Sequence, residues 1–265
     1  MPARPRRPLV TRSEVTTSLP TYYSRLGPFR DLLAGGGGIL TYHHVGSSPP
    51  GVRLKGLYVS PRLFTRQMDE LRANGFVTEA YDRSTSARNE ETRRIFLTFD
   101  DGFRDVFEHA LPVLRNSRFT AIQFLVADFL GQTSEWQAAS GEVPGKLMDQ
   151  AEAKDWIAAG NQIGSHTLRH PFLTRLAFAE AREEITASKK KLEDMFGVAI
   201  DHFCYPYGDW NREVRDLVKA AGYRSACTTE FGVNTPDTDP FALRRLTARY
   251  PSRNWRNFLR WLAGS

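Results

Sequence analysis

Two carboxylates stand side by side in Thr98-Phe99-Asp100-Asp101-Gly102, at the tip of an apolar run that reads as a buried strand. Ending a strand in paired acids adds nothing to its stability, so the pair invites a chemical reading, although Asp-Asp-Gly is also favourable turn chemistry. Neighbouring side chains on a strand point to opposite faces, which suits the two carboxylates to different tasks. Further along, the stretch GSHTLRH places His166 and His170 four positions apart. On a helical turn that spacing sets both imidazoles on one face, where they can share one ion. Two imidazoles and one carboxylate, with open positions left over, compose a catalytic zinc site or a similar divalent centre. A third stretch, FCYPYGDWN over 203 to 211, ends a strand in a rigid turn of Tyr205, Pro206, Tyr207 and Gly208. Such a turn can aim a backbone N–H at a developing oxyanion, or be no more than an aromatic turn.

Elements must bring these stretches together, and the periodicity predicts which. Apolar runs of strand length fall at 38 to 45, 76 to 80, 95 to 100, 121 to 127, 162 to 167, 202 to 207, 224 to 229 and 243 to 250. Amphipathic segments at 60 to 74, 105 to 116, 149 to 159, 177 to 196 and 211 to 221 lie between them, several closed by a glycine. Strand then helix, repeated, implies parallel strands in a barrel or a long open sheet. In both architectures chemistry gathers at the carboxyl ends of the strands, where the three stretches fall. The longest piece with no pattern of its own, 131 to 146, reads as a rim loop.

The 265 residues suit one α/β domain, and 41% hydrophobic with 25% charged residues is ordinary globular composition. A net charge of +6 would tolerate an anionic partner, but the Lys and Arg are scattered, which fits a solvated surface and no nucleic acid. Residues 1–37 form a Pro-rich leader, flexible or partly helical, without the apolar core of a secretory signal, so a cytoplasmic location is expected. Membrane contact is not predicted, since no apolar stretch approaches the ~20 residues a span requires. Cys204 and Cys227 are too few for a disulfide framework and are expected buried and free.

Taken in order and at their separations, TFDDG, SHTLRH and YPYGDWN resemble the NodB homology domain of polysaccharide deacetylases, carbohydrate esterase family 4. The resemblance implies a distorted (β/α) barrel of seven to eight parallel strands occupying 38–265. It also implies a hydrolase that removes N-acetyl, or sometimes O-acetyl, groups from glycans with one divalent metal, most often Zn2+. By motif position Asp100 would be the general base, and Asp101 would bind the ion with His166 and His170. Thr167 would brace the histidine segment, and the Tyr207 backbone N–H, next to Pro206, would belong to the oxyanion site.

Two departures from the family pattern carry consequences. Cys204 stands where many members have an arginine, so the group that orients Asp100 must come from elsewhere, with Arg244 or Arg245 as candidates. The late leucine-x-histidine motif that often supplies the general acid is missing, and Arg249 in RLTARY cannot replace it. Strand alternation sends only one of His43 and His44 into the barrel, and the tyrosine-histidine pair that similar family members often carry here implies His43 as the candidate acid. Tyr42, Trp136, Tyr205 and Trp210 are candidates for stacking on sugar rings. The expected partner is an amino-sugar glycan or a carrier-linked precursor. An O-acetyl esterase, a deformylase and a catalytically inactive glycan-binding module are the alternatives.

Overall fold

A computed structural model describes Leu33 and residues 38–78 and 93–248. Apart from Leu33 the leader lies outside the described residues, as do Arg249 and the rest of the expected domain's end. The strands are β1 (Gly38–Tyr42), β2 (His44–Val45), β3 (Tyr58–Val59), β4 (Phe76–Val77) and β5 (Arg93–Phe99), followed by β6 (Ile122–Leu125), β7 (Gln162–Ser165), β8 (His202–Cys204), β9 (Ser225–Phe231) and β10 (Leu243–Thr247). Parallel pairing runs β1-β10-β9-β8-β7-β6-β5, and β5 returns to β1 through Leu40↔Leu97 and Tyr42↔Phe99. Seven parallel strands thereby close a barrel. β4 extends the sheet beside the first residues of β5, and β2 with β3 form a separate pair.

The helices carry their signals locally. Helix α1 (Pro61–Ala73) opens with Ser60, whose hydroxyl accepts from the Leu63 N–H, and with Pro61 in its first turn. A widened turn over Val106–Ala110 leads into α2 (Leu111–Ser117), just ahead of Pro112. A regular helix there would crowd the Pro112 ring against the carbonyl four residues back. Helix α3 (Glu135–Ala139) lies inside the expected rim loop, which the bridge Thr133↔Lys146 also orders. The loop is therefore more structured than its composition suggests, because backbone pairing across a chain reversal leaves no hydrophobic period. Helix α4 (Gln150–Ala158) starts at an Asp149/Glu152 capping box, α5 (Phe178–Phe196) ends at left-handed Gly197, and α6 (Arg212–Ala220) is capped by Asn211.

Strand alternation sorts the residues into two cores. Outward-facing Leu40, Tyr42, Leu97 and Phe99 join Phe64, Met68 and Trp156 in the layer between barrel and helices. Inward-facing Ile39, Ile122, Phe124, Cys204, Cys227 and Leu243 form a small apolar cluster inside the barrel. Gly164 makes room for it, since a Cβ there would lie 2.6 Å from the Phe124 ring and 2.9 Å from the His202 carbonyl. Towards the carboxyl ends the same inward positions turn polar: Thr41, Thr98, Asp100 and Arg245 are all buried. Thr41 and Thr98 share a hydroxyl hydrogen bond at 3.0 Å. The barrel is thus an apolar plug supporting a polar mouth.

Candidate active site

Asp100 continues the inward alternation of Phe96 and Thr98 into the mouth. By the same alternation Asp101 should face away, yet the chain turns left-handed at Asp101 (φ 73°) and Gly102 (φ 82°), and both carboxylates end up buried in one site. Arg245, 2% exposed in the middle of β10, grips Asp100 with both arms: Nη1 to Oδ1 at 2.7 Å and Nη2 to Oδ2 at 2.7 Å. Its remaining donors reach the Thr228 carbonyl at 2.8 Å, the Thr98 hydroxyl at 3.1 Å and the Cys204 thiol at 3.2 Å. Burial pushes the Asp100 pKa up, but the charge and hydrogen bonds of Arg245 outweigh it and hold the carboxyl below its ordinary value. Of the two arginines considered, Arg245 makes the contact; Arg244 pairs with exposed Glu230.

His166 and His170 leave β7 on a bend with no helical turn. Left-handed backbone at Thr167 (φ 70°) and His170 (φ 64°) curls the segment so that both imidazoles meet the same carboxylate. Their Nε2 atoms lie 3.3 and 3.2 Å from Asp101 Oδ1. The helical reading of the spacing is corrected by the residues that hold this bend. Thr167 Oγ1 accepts from the His170 N–H at 2.9 Å, and Glu184 on α5 accepts from the N–H groups of Leu168 and Arg169 at 2.9 and 3.0 Å. A β-branched residue such as Thr167 adopts left-handed backbone only where the surroundings enforce it. The described non-glycine residues with positive φ are Asp101, Thr167, His170, Tyr207 and Arg118, and all but Arg118 are in this site.

Asp101, His166 and His170 offer ligand atoms within 4.8 Å of one another, all buried. His166 Nδ1 lies 2.7 Å from the Cys204 carbonyl oxygen, an acceptor only, so Nδ1 carries a hydrogen and Nε2, which donates to Asp101 while no ion is bound, is the nitrogen left to ligate one. Burial disfavours the Asp101 charge, but hydrogen bonds with His166 and His170 hold its carboxyl well below the usual range. With no ion bound the compensating charge is the His166 imidazolium: burial disfavours it, but Cys204 and Asp101 raise its pKa well above the ordinary value. A divalent ion fits this donor set.

His43 sits between β1 and β2 with Nε2 3.7 Å from Asp100 Oδ2. Burial lowers its pKa, partly offset by Asp100 and Asp101, so the ring rests neutral near pH 7. His44 faces away, stacked between Tyr58 (4.0 Å) and Phe103 (3.5 Å), with Nδ1 2.8 Å from Asp105. Pro206, Tyr207 and Gly208 form a 3-10 turn after β8, with Pro206 buried and Tyr207 43% exposed beside His170.

Two of the sugar-stacking candidates, Tyr42 and Tyr205, need correction. Tyr42, 1% exposed, lies on the outer face of the barrel with its ring against Phe99 and Phe64 and its hydroxyl donating to Gln67 Oε1 at 2.9 Å. It belongs to the helix-facing core. Tyr205 is buried with its hydroxyl on the Phe241 carbonyl, and Trp210 packs against it. Trp136 stacks on His170 itself. The Cys204 carbonyl and Glu184 escaped the sequence reading, because a backbone acceptor has no residue signature and Glu184 looks like any polar position on an amphipathic helix.

A closed parallel barrel with two carboxylates and two histidines at its carboxyl-end mouth defines a class of barrel hydrolase sites. Residues 87–226 match the polysaccharide deacetylase family, and the chain belongs to it. The chain is 28% identical over 212 residues to YxkH of Bacillus subtilis (strain 168), a protein assigned to the polysaccharide deacetylases, covering 78% of this chain and 70% of that one. It is 30% identical over 132 residues to a chitooligosaccharide deacetylase of Azorhizobium caulinodans, covering 49% of this chain and 55% of that protein. The match thus spans about half of that relative's length. Among solved structures, BC0361, a polysaccharide deacetylase from Bacillus cereus, superposes with a TM-score of 0.69 at 26% identity over 85% of this chain and 68% of that one.

Proposed function

We propose that the chain is a metal-dependent hydrolase that removes N-acetyl groups from an amino-sugar glycan or its precursor, with Zn2+ as the favoured ion. One observation carries this reading: Asp101, His166 and His170 converge within 4.8 Å beside an Asp100 clamped by Arg245. A divalent ion held there would polarise an acetyl carbonyl and acidify a water. Asp101 and the Nε2 atoms of the two histidines would hold it, and the Cys204 carbonyl keeps His166 in the ligating tautomer.

Asp100 accepts the proton of the attacking water. Arg245 makes it a weaker base than a free carboxylate, but keeps both oxygens in place and the group ionised. The proton then resides at Oδ2, 3.7 Å from His43 Nε2. A resting neutral His43 can take it up and hand it to the departing amine, which needs protonation to leave. The backbone N–H of Tyr207 is assigned to the oxyanion, supported by the left-handed turn that places Tyr207 against His170.

The name of the Azorhizobium relative points to short chitin-like oligosaccharides as the first substrate to try. The test is acetate release from N-acetylated chitooligosaccharides by the Zn2+-loaded protein, alongside Asp100→Asn and His166→Ala. Release by the unmodified chain and its loss in both variants is expected. Absence of acetate from every N-acetylated sugar tried, free or carrier-linked, would end the proposal.

A further inference from the structure

The two histidines of the site are held by different means. His166 is fixed by the hydrogen bond from Nδ1 to the Cys204 carbonyl. His170 has no such bond: its Nδ1 is buried and meets no protein donor or acceptor among the described residues. Metal-ligating histidines ordinarily gain their orientation from a partner at the second nitrogen. Here the ring is boxed by aromatic neighbours. Trp136 stacks on it at 4.8 Å between centroids and 21° between planes, and Tyr207 and His166 meet it edge-on at 4.5 and 4.7 Å.

Trp136 is held in turn by the turn that carries Asp101. Its helix follows Ser134, whose N–H donates to the Gly145 carbonyl at 3.0 Å and whose hydroxyl accepts from the Gly145 N–H at 2.8 Å. The far end of that loop is tied to the residues just after Asp101, through Met148 N–H to the Gly102 carbonyl at 2.8 Å and Arg104 N–H to the Lys146 carbonyl at 2.9 Å. The loop that carries the indole is therefore tied to the β5 turn, source of Asp101, while the indole itself stacks on His170 of the β7 bend.

We infer that Trp136 is a positioning residue for His170 as a metal ligand, doing by ring stacking what the Cys204 carbonyl does for His166 by hydrogen bonding. The inference rests on the metal-site reading above. Stacking fixes the plane of the imidazole, so an indole or another flat ring should serve, while bulk alone should not.

The test is the affinity of the metal-free full chain for Zn2+ alone, read by competition with a chromogenic chelator. Trp136→Ala and Trp136→Leu should each weaken binding ~10- to 100-fold, the usual effect of removing a group that orients a ligand, while Trp136→Phe stays within about threefold. Far-UV circular dichroism checks that each variant is folded. If Trp136→Ala fails to fold, the contrast of Trp136→Leu with Trp136→Phe decides alone. Unchanged affinity in the leucine variant, or a phenylalanine variant as weak as leucine, would overturn the inference. His166→Ala separates this from failure of the underlying reading: Zn2+ binding that survives His166→Ala means the ion is not held here at all.

Discussion

Replacing Arg245 by Met keeps most of the volume of the side chain and removes its charge and every donor. In the metal-free protein this leaves the Asp100 carboxylate, 2% exposed, without the two 2.7 Å bonds that compensate its burial. Breaking a buried pair from one side costs about 3–5 kcal/mol. Domains of this kind have only about 5–15 kcal/mol in total, so the variant should be folded but visibly weakened. The effect must depend on pH. In the unmodified chain the Asp100 pKa is lowered from 3.8, so the pair contributes stability above that pH and loses it as pH falls through the folded value. In Arg245→Met burial is opposed only by the weaker attraction of His43 and His166, so the folded pKa should rise above 3.8, the carboxyl stays protonated at acid pH and little is lost there. Above the unfolded value the deficit grows, until the pH passes the raised folded pKa. Urea titrations of both chains at pH 4 and pH 7, with chelator present, should therefore show a gap that widens at pH 7. Adding Asp100→Asn to Arg245→Met should recover much of the loss, because no buried charge is then left unpaired. A deficit below about 1 kcal/mol at pH 7, or one equal at both pH values, would refute the account of Arg245 as the partner that keeps Asp100 ionised.

Other predictions test the scaffold. Burial pushes the thiols of Cys204 and Cys227 up to about 11, so neither should react with iodoacetamide at pH 8 in the folded chain, and both should after denaturation; mass spectrometry reads the difference. Tyr42→Phe should lower stability by about 1 kcal/mol in thermal or urea melts, since the buried hydrogen bond from its hydroxyl to Gln67 Oε1 is lost, and should leave kcat and KM for any substrate the chain deacetylates unchanged. Gly164→Ala should lower stability by about 1–3 kcal/mol in the same melts, because its Cβ meets the Phe124 ring and the His202 carbonyl.

Elements and their order were legible in the chain because they are written in local periodicity and caps. Ser60-Pro61, Asp149 with Glu152, and Gly197 mark helix ends through contacts spanning only a few residues. The three chemical stretches were equally legible, since each is short and sits at a strand's end. Even Tyr42 could have been placed: the alternation that turns His43 inward turns Tyr42 outward, and an attractive aromatic at a motif's edge obscured this.

What tertiary structure alone decided were the partners. Arg245 lies 145 positions from Asp100, and only closure of the barrel, with β10 beside β1 and β1 beside β5, brings a guanidinium to the carboxylate. The Cys204 carbonyl reaches His166 because β7 and β8 are neighbours. The histidines share one carboxylate through left-handed bends at Thr167 and His170, held by Thr167 Oγ1 and Glu184. Periodicity records which way a side chain faces its own element. Which group it meets there depends on how distant segments are packed.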